Sequence, residues 1–480
     1  MPIPKSIDST PYSADVAIIG AGLAGLAAAT RLAMFGKSVI LLEKHYVVGG
    51  LNSFYARKGR KFDVGLHALT NYPSPGSGKS SPLLKLCRQL RISIDDLSLQ
   101  QQSSSRITFG ETSLRFNNDF NYFINQVEET FPSSKDKFHS LLRKMEEFPA
   151  YSVDAEELST REIIKDSQID PFLGEMLLCP TCYYGSARPN DIDFPTFIML
   201  FDAIFRQGLA RPENGIRAIL DPLTSKLKEL GVQRRMNSAV KSITTCGNEA
   251  KEIVLETGQT IQANQIISTC GIRETELLLD ASCIEQQTAK TGNFSIIESI
   301  RVFDGHPRDF GWDETVVFFN ETDQFTYDCP ERLVDLQSGV ICLPDNYGRN
   351  VSATESKIRV THPANFQKWD AISKDKYTAV KEDWEEKIMQ NSMKYLKQGH
   401  ITLDELNKKT TLMDTFTPTT IKHFTSHING TLYGSPTKRR DGSTKYKNLF
   451  LAGTDQGYVG IVGAMLGGIA VANNQILRNG

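Results

Sequence analysis

Apolar residues form compact blocks near the start of the chain. One block of four, 16–19, lies directly before Gly20, and a second occupies 39–42. Short apolar blocks that are rich in β-branched residues and bounded by turn residues are typical of buried strands. The small and apolar residues between the blocks, which begin at Leu23 and Ala24, predict a helix. Strand, helix and strand in this order predict the first unit of a parallel α/β sheet.

The turn after the first strand carries glycine at three spaced positions. Gly20 allows the tight turn, Gly22 lets the backbone approach a pyrophosphate, and Gly25 lets the helix pack closely on the strand. The free N–H groups at the start of the helix face the negative charge of that pyrophosphate. Glu43 ends the second strand, where its carboxylate accepts both ribose hydroxyls and repels a phosphorylated ribose. The pattern predicts a bound dinucleotide with an unphosphorylated adenosine half.

Two further segments add to this site. Gly49 and Gly50 leave room for a flat or charged ligand against the main chain. Near the far end, an apolar run predicts another buried strand, Asp455 lies in the following loop, and small residues around Gly463 predict a helix start. A helix N-terminus there holds the partly negative edge of a flavin ring, and Asp455 binds ribityl or ribose hydroxyls. These distant segments are predicted to converge on one ligand.

Taken together, the motifs resemble the flavoprotein superfamily that contains amine oxidases, protoporphyrinogen oxidase and the phytoene-desaturase family. The resemblance covers the N-terminal segment, the C-terminal segment and a middle stretch from Arg211 to Ile243. It implies an α/β fold, in which a Rossmann-type, glutathione-reductase-like FAD-binding domain is interleaved with an α+β substrate-binding domain. It also implies FAD as the cofactor, bound by Gly20, Gly22, Leu23, Ala24, Gly25, Glu43, Lys44, Gly49, Gly50, Leu51, Asn52, Leu66, His67, Val240, Gly453, Asp455, Gly463, Ala464 and Met465.

One segment of this resemblance bears on catalysis. Residues 59–67 are similar to the part of the desaturases that passes beside the isoalloxazine ring. An imidazole there donates to a flavin nitrogen, transfers a proton or fills space, and the three roles stay open. His67 is the one residue that we predict to be catalytic.

The motifs divide the chain into two interleaved domains. The segments with dinucleotide motifs form the predicted FAD-binding domain, which comprises 14–75, 211–275 and 438–480. The intervening segments form the predicted substrate-binding domain, which comprises 76–210 and 276–437.

Composition narrows the classes of function. The 480 residues, 40% of them hydrophobic, suffice for a full core, and a net charge of −2 gives no electrostatic reason to expect nucleic acid. No run approaches the roughly 18 apolar residues of a transmembrane helix, and the polar N-terminal residues lack a signal-peptide pattern. Eight scattered cysteines suit a reducing compartment, so we predict a cytoplasmic location.

Two pairs of residues have spacings that metal sites also show. Cys179 and Cys182 lack a second pair, and His423 and His427 have no acid between them. We interpret the cysteines as a buried structural pair and the histidines as hydrogen-bonding residues, and we predict no metal site.

Two other segments bear on how a substrate is reached. Residues 194–205 are unusually aromatic and apolar, which fits a tunnel lining, a surface that dips into a bilayer or an ordinary core helix. Lys438, Arg439 and Arg440 form a basic patch that faces either anionic headgroups or solvent. A peripheral contact with the inner membrane face is therefore a hypothesis.

The resemblance implies an FAD-dependent oxidoreductase that acts on a long apolar isoprenoid or polyene chain. Desaturation, isomerisation and saturation all occur in such enzymes. The sequence has no second glycine-rich strand–helix unit for a nicotinamide cofactor. The reduced flavin is therefore predicted to pass its electrons to oxygen or a quinone.

Two alternatives remain open. Amine oxidases of this fold place an aromatic residue where this chain has Gly460, and Tyr458 lies nearby but offset. Proteins that escort prenylated GTPases share the fold without flavin. The intact glycine motif, Glu43 and Asp455 argue against such a non-catalytic carrier, because a carrier needs no complete FAD site.

Overall fold

The computed structural model describes residues 12–73, 81–279, 289–348, 354–396 and 400–478. The predicted boundary between residues 75 and 76 lies outside this part of the chain. The strands of the described part are β1 (Tyr12–Ile19), β2 (Val39–Leu42), β3 (Phe54–Arg57), β4 (Arg60–Asp63), β5 (Leu99–Gln101), β6 (Ser105–Phe109), β7 (Thr112–Phe116), β8 (Ala210–Pro212), β9 (Gln233–Arg235), β10 (Val240–Cys246), β11 (Glu249–Leu255), β12 (Thr260–Ser268), β13 (Ser295–Asp304), β14 (Val316–Asn320), β15 (Ser338–Cys342), β16 (Glu355–Ala364), β17 (Thr410–Phe416) and β18 (Leu449–Leu451).

The α-helices of the same residues surround two large sheets. They are α1 (Leu23–Ala33), α2 (Pro82–Leu90), α3 (Phe120–Thr130), α4 (Lys135–Glu147), α5 (Thr160–Ser167), α6 (Pro171–Gly185), α7 (Phe194–Phe201), α8 (Arg217–Glu229), α9 (Ile272–Leu278), α10 (Phe366–Asp370), α11 (Lys374–Met393), α12 (Leu403–Lys409), α13 (Pro418–Thr425) and α14 (Gly460–Val471).

The first sheet is the dinucleotide-binding one. Its order is β10-β11-β12-β1-β2-β9, and β18 pairs with β12. The strands β1, β2, β9 and β18 run parallel to their neighbours, and β12 runs parallel to β1 and β18. The strand β11 pairs antiparallel with both β10 and β12. Parallel strands are covered on both faces, which explains why residues 16–19 and 39–42 are apolar without a gap. The three segments assigned from sequence to the FAD-binding domain supply all seven strands.

The second sheet belongs to the interleaved segments. Its order is β17-β13-β16-β15-β14-β6-β7, which joins strands from 105–116 with strands from 295–416. Alternate side chains of β14 enter different cores. Phe318 packs toward the core that contains α3 to α7, and Phe319 packs toward α10, α11 and α12. Helices therefore cover both faces of this sheet.

The aromatic segment 194–205 is part of the core. Phe194, Phe197, Phe201 and Phe205 each have no exposed surface, and they stack against one another and against α3. The helix α7 continues as a π-helical turn, Asp202–Arg206. Of the three interpretations of this segment, the core helix fits the structure, because the four phenylalanine rings pack entirely within the domain.

The basic residues after Pro436 are also engaged inside the protein. Arg440 Nη2 lies 2.9 Å from Asp193 Oδ1, and Lys438 Nζ lies 3.2 Å from Asp455 Oδ1. These four side chains are each less than a tenth exposed. The interpretation as a patch for lipid headgroups is wrong for Lys438 and Arg440, because both cations neutralise buried carboxylates.

One helix among the described residues is long and apolar enough to cross a membrane. It comprises α14 and its continuation, Gly460–Leu477, with a mean hydropathy of 1.4 over 18 residues. Half of this segment is buried in the protein. The helix packs along α1 in the core of the FAD-binding domain, and a core helix meets the same criteria of length and composition.

The pair Arg440–Asp193 joins the C-terminal loop to the start of α7, where Asp193 also accepts from the Thr196 N–H. Arg440→Met leaves the Asp193 carboxylate buried without its cation, so we expect a loss of about 3 kcal/mol in unfolding free energy. Urea unfolding of the purified protein measures it. Arg439→Met is the control, with an expected loss under about 1 kcal/mol, because the Arg439 side chain makes one long bond to Ser443 O. Equal losses in the two variants would contradict the assignment.

Candidate active site

A cavity of about 590 Å³ lies between the two sheets. The loops after β1 and β2 and the start of α14 form one side, and residues of β13, β14, β15 and β16 form the other. Most of the residues that the sequence assigned to FAD line this cavity. They are Gly20, Gly22, Leu23, Ala24, Glu43, Lys44, Gly49, Gly50, Leu51, Asn52, His67, Val240, Gly453 and Ala464.

The remaining assigned residues lie behind the lining. Leu66 and Met465 belong to the hydrophobic core, and Gly463 packs against the backbone of Tyr458. Gly25 faces the turn, where an added Cβ would lie 2.1 Å from the Gly20 carbonyl oxygen. Gly25 therefore allows the close helix–strand packing that the motif predicts, without contact to the cavity.

Asp455 is buried, and protein groups bind both of its carboxylate oxygens. Its carboxylate accepts from the Ile272 and Ser435 N–H groups, at 2.7 and 3.0 Å, and from Lys438 Nζ. Asp455 is absent from the cavity lining of the described residues. The carboxylate joins α9, the 435–438 loop and the C-terminal segment, and its contact with ligand hydroxyls stays a prediction.

The turn into α1 has the shape that a pyrophosphate requires. Gly20 has φ +99°, a conformation that side chains disfavour, and Gly49 N–H donates to Ala21 O at 2.8 Å. A Cβ added at Gly22 would meet no described protein atom within 4 Å, so it would project into open space. The first turn of α1 holds no acidic residue and its N-cap, Gly22, makes no side-chain bond, so the positive end of the helix suits an anion.

Glu43 lies where the ribose is expected. Its Oε2 accepts from the Ala21 N–H at 2.7 Å and its Oε1 from the His45 N–H at 2.9 Å, and its residue exposure is 9%. Each carboxylate oxygen has a second lone pair, so both remain able to accept a ribose hydroxyl. The two backbone bonds hold the carboxylate in one orientation.

The helix α14 begins at the cavity. Gly460, Ile461 and Ala464 line it, and Val459 is the N-cap, without a side-chain bond to the helix N–H groups. The first turn contains no acidic residue. Its N–H groups and partial positive charge suit the electron-rich edge of a flavin. The residues present thus fit both ends of FAD.

His67 is part of a charged cluster at the wall formed by the second sheet. His67 Nε2 lies 2.5 Å from Glu298 Oε1, and Arg359 binds the same carboxylate at 2.6 and 3.1 Å. Thr361 Oγ1 donates to Glu298 Oε1 at 3.3 Å. Burial alone would raise the pKa of Glu298, but Arg359 and His67 lower it to about 2. The carboxylate is therefore ionised at any working pH and only accepts hydrogen bonds.

This ionisation fixes the role of each imidazole nitrogen. Because Glu298 accepts, Nε2 of His67 carries a proton, and a neutral His67 keeps its lone pair on Nδ1. The side chain is 25% exposed and lines the cavity. The arrangement is that of an oriented base, in which a carboxylate holds a histidine and stabilises its cation.

Sequence reasoning missed Glu298, Arg359 and Thr361. The one available signal was a charged residue inside an apolar strand, since Glu298 interrupts the run 295–303. Such a residue is rare in a buried strand unless it is paired. The sequence of the strand does not show that His67 and Arg359 are the partners of Glu298.

Apolar and aromatic side chains wall the rest of the cavity. Those on or next to the second sheet and on α6 are Ile296, Phe318, Val340, Phe416, Leu432, Tyr183, Tyr184 and Tyr433. Tyr458, the residue considered for an amine-binding cage, is not among the described lining residues. His67, Glu298 and Thr361 thus form a polar spot in an apolar wall.

The described residues contain no group of His, Cys, Asp and Glu arranged for a metal ion. Cys179 and Cys182 are fully buried within α6, and burial raises the pKa of both thiols. His423 lies within α13, and His427 Nδ1 lies 2.8 Å from Thr431 O.

Comparison with known proteins defines the class. Residues 23–475 match the family of flavin-containing amine oxidoreductases, and the chain belongs to that family. It is 24% identical over 469 residues to the chloroplastic prolycopene isomerase of Arabidopsis thaliana, across 88% of this chain and 74% of that protein. It is 27% identical over 294 residues to the 4,4'-diapolycopene oxygenase of Methylomonas sp, across 54% and 56% of the two chains. Its fold is similar to that of cyclohexylamine oxidase from Brevibacterium oxydans IH-35A, with a TM-score of 0.63, 11% identity and coverage of 97% and 99%.

These similarities confirm the predicted fold class, cofactor and enzyme class. The protein is an FAD-dependent oxidoreductase with a Rossmann-type domain and an interleaved substrate domain. The non-catalytic carrier is left without support. Residue roles within the site remain predictions.

Substitutions at Gly22 and Gly25 are expected to affect different properties, namely FAD binding and the stability of the fold. Gly22→Ala places a methyl group in open space, so we expect the stability of the apo-protein to fall by less than about 1 kcal/mol, while FAD binds about tenfold more weakly. Gly25→Ala forces a shift of the Gly20 carbonyl and is expected to cost about 2–3 kcal/mol of apo-protein stability. Flavin titration and thermal unfolding measure the two effects. An unchanged FAD affinity in the Gly22→Ala variant would contradict the assignment of the pyrophosphate to this turn.

Proposed function

We propose that the protein oxidises or isomerises a long isoprenoid or polyene chain that lies against the flavin. The observation that carries this proposal is the apolar wall of the cavity opposite the nucleotide loops, formed by Ile296, Phe318, Val340 and their neighbours. Transfer of an apolar ligand from water to such a wall is favourable in free energy, whereas transfer of a charged ligand costs its hydration free energy. Both relatives reported above carry names that refer to lycopene-type polyenes.

The chemistry divides between cofactor and protein. When bound, FAD accepts the hydride that leaves one substrate carbon. The proton that leaves the neighbouring carbon needs a base, and Nδ1 of His67 is the oriented acceptor beside the cavity. The electron pair of the broken C–H bond then forms the new C=C bond, while Glu298 stabilises the resulting imidazolium. Oxygen or a quinone would be the final acceptor of the two electrons.

A second candidate is oxidation of an amine. The fold is shared with cyclohexylamine oxidase, and Tyr184 and Tyr433 both line the cavity, so aromatic faces are available to an amine. The offset of Tyr458 from the cavity weighs against a cage at the expected position.

Anaerobic reduction of the flavin distinguishes the candidates. We expect phytoene presented in liposomes to bleach the flavin band and to give a product that absorbs at longer wavelength, because desaturation extends the conjugated system. Cyclohexylamine and putrescine, run in parallel, are expected to leave the band unchanged. Bleaching by the amines would overturn the proposal in favour of an amine oxidase. Isomerisation of prolycopene without net bleaching would keep the polyene substrate and replace desaturation by a redox-neutral reaction.

His67 is tested by its effect on the reductive step. His67→Asn removes the base, so we expect flavin reduction by the productive polyene to slow about 100-fold while FAD occupancy is retained. Thr361→Val is the matched control, because it removes one bond to Glu298 and leaves the imidazole contact intact. Its expected effect is less than about threefold. Stopped-flow absorbance gives both rates. An unchanged rate in His67→Asn would show that His67 has only a packing role.

A further inference from the structure

The wall that the second sheet gives to the cavity contains one straight row of side chains. On the consecutive strands β17, β13, β16, β15 and β14, the residues that pair directly with one another are Phe416, Glu298, Thr361, Val340 and Phe318. Each of them lines the cavity. Directly paired residues place their side chains on the same face of a sheet, and neighbouring strands lie about 4.8 Å apart. The row therefore crosses the strands over about 19 Å.

The β14 end of this row is closed. Phe318 has no exposed surface, and its register partner on β6, Ile107, is fully buried and is not among the described lining residues. Two tyrosines of α6 cover the same end. The ring centroid of Tyr184 lies 5.9 Å from that of Phe318, and Tyr183 Oη lies 2.8 Å from Ser338 Oγ on β15. The cavity therefore stops at β14.

The opposite end of the row leads to exposed lining residues. The helix α13 follows β17 directly, and its Phe424 lines the cavity with 48% of its surface exposed. Leu277 on α9 also lines the cavity and is 56% exposed. The two segments are neighbours, because the Ile428 N–H donates to Glu274 Oε1 at 2.8 Å. The cavity thus has a mouth on the side of β17 and a blind end at β14.

His67 marks the reacting position along the row. Its imidazole contacts Glu298, which is the second residue of the row from the mouth. Three strand intervals, about 14 Å, separate Glu298 from Phe318. Past Thr361, the row continues with Val340 and Phe318 alone, and both are apolar. A charged terminus would lose its hydration there, so the blind part suits an apolar chain end of limited length.

We propose that the substrate enters the cavity end first, that its terminus stops at Phe318, and that this stop determines which bond reacts. The bond beside His67 is then about 14 Å from the terminus, roughly two to three isoprene units along the chain. This inference rests on the function proposed above and names a narrower substrate class, chains with at least one unsubstituted apolar end. Val340 and Phe318 act as specificity residues, and the part of the chain outside the mouth is unconstrained.

Prenyl chains of increasing length, each with biotin at one end and held there by streptavidin, test the proposal with the FAD-loaded protein. The streptavidin stays outside the mouth, and binding is followed by the change in the flavin absorption band. We expect affinity to rise with each added isoprene unit until the chain reaches Phe318, and then to stay constant. A chain held by streptavidin at both ends is expected to bind at least about 100-fold more weakly, because no terminus is buried in the blind end.

Variants of the row test the position of the stop. Val340→Phe places a ring one strand interval before Phe318, so we expect affinity to become constant at a chain about 5 Å shorter, close to one isoprene unit. Ile296→Phe is the matched control, because Ile296 lines the same wall outside the row and pairs with Pro363. It should keep the wild-type length. Phe318→Leu, which should lengthen the bound segment, replaces Val340→Phe if that variant does not fold.

The outcomes separate this inference from the proposed function. Equal binding of chains blocked at one end and at both ends would overturn it, since the substrate then enters sideways. Affinity that keeps rising with length, or an unchanged length in the variant of the row, would overturn it as well. In these cases the chains still bind, so the isoprenoid function survives. If no chain perturbs the flavin, the proposed isoprenoid function fails too.

Discussion

The active site depends on how two arginines hold the segment 63–67 against the second sheet. Arg359, on β16, donates to the carbonyls of Val64 and Leu66 and pairs with Glu298. Arg211 belongs to the predicted FAD-binding domain. It donates to the carbonyls of Leu66 and His67, and its Nη2 lies 2.5 Å from Asp63 Oδ2. Backbone carbonyls of an irregular segment would otherwise be buried without partners, which is costly. The two guanidinium groups satisfy them and thereby fix where His67 stands.

The network of Arg359, Glu298 and His67 consists of charged side chains, and loss of one member would leave another buried charge without its partner. Glu298 and Arg359 are 4% and 3% exposed, so neither has water to compensate for the loss of the other. A buried pair of this kind contributes little net stability compared with apolar residues, but it specifies one arrangement. The carboxylate lines the cavity of about 590 Å³, while Arg359 lines a second, polar cavity of about 640 Å³ on the other side. The ion pair thus lies between the two cavities.

Local sequence was sufficient for the dinucleotide half of the site. The β1 turn, the start of α1 and Glu43 lie within one βαβ unit, where spacing along the chain sets distance in space. The other half depends on contacts that spacing does not reveal. His67 meets Glu298 across 231 residues, and Arg440 meets Asp193 across 247. The aromatic run 194–205 was ambiguous for a related reason, since a core helix and a membrane-seeking one have the same composition until their neighbours are known.

Asp455 shows how a motif residue can serve a ligand indirectly. The sequence pattern suggested that it binds hydroxyl groups, yet its oxygens accept from Ile272, Ser435 and Lys438. Those three bonds position the chain that precedes Gly460, where α14 presents its N–H groups to the cavity. Asp455 therefore bears on the predicted flavin edge through the protein, in addition to the ligand contact that the sequence predicts.

The size of the cavity limits what the protein can recognise. A volume of about 590 Å³ is in the range that encloses a single drug-sized ligand, and the predicted FAD would share this space with the substrate. If the proposed substrate is a long polyene, only a segment of it lies beside the flavin, and the rest of the chain extends beyond the enclosed part. The wall of the cavity has no contact with the part of the chain outside it and therefore cannot select for chain length. Selectivity would then come from the few polar atoms beside the reacting segment. On the wall formed by the second sheet, those polar side chains are His67, Glu298 and Thr361.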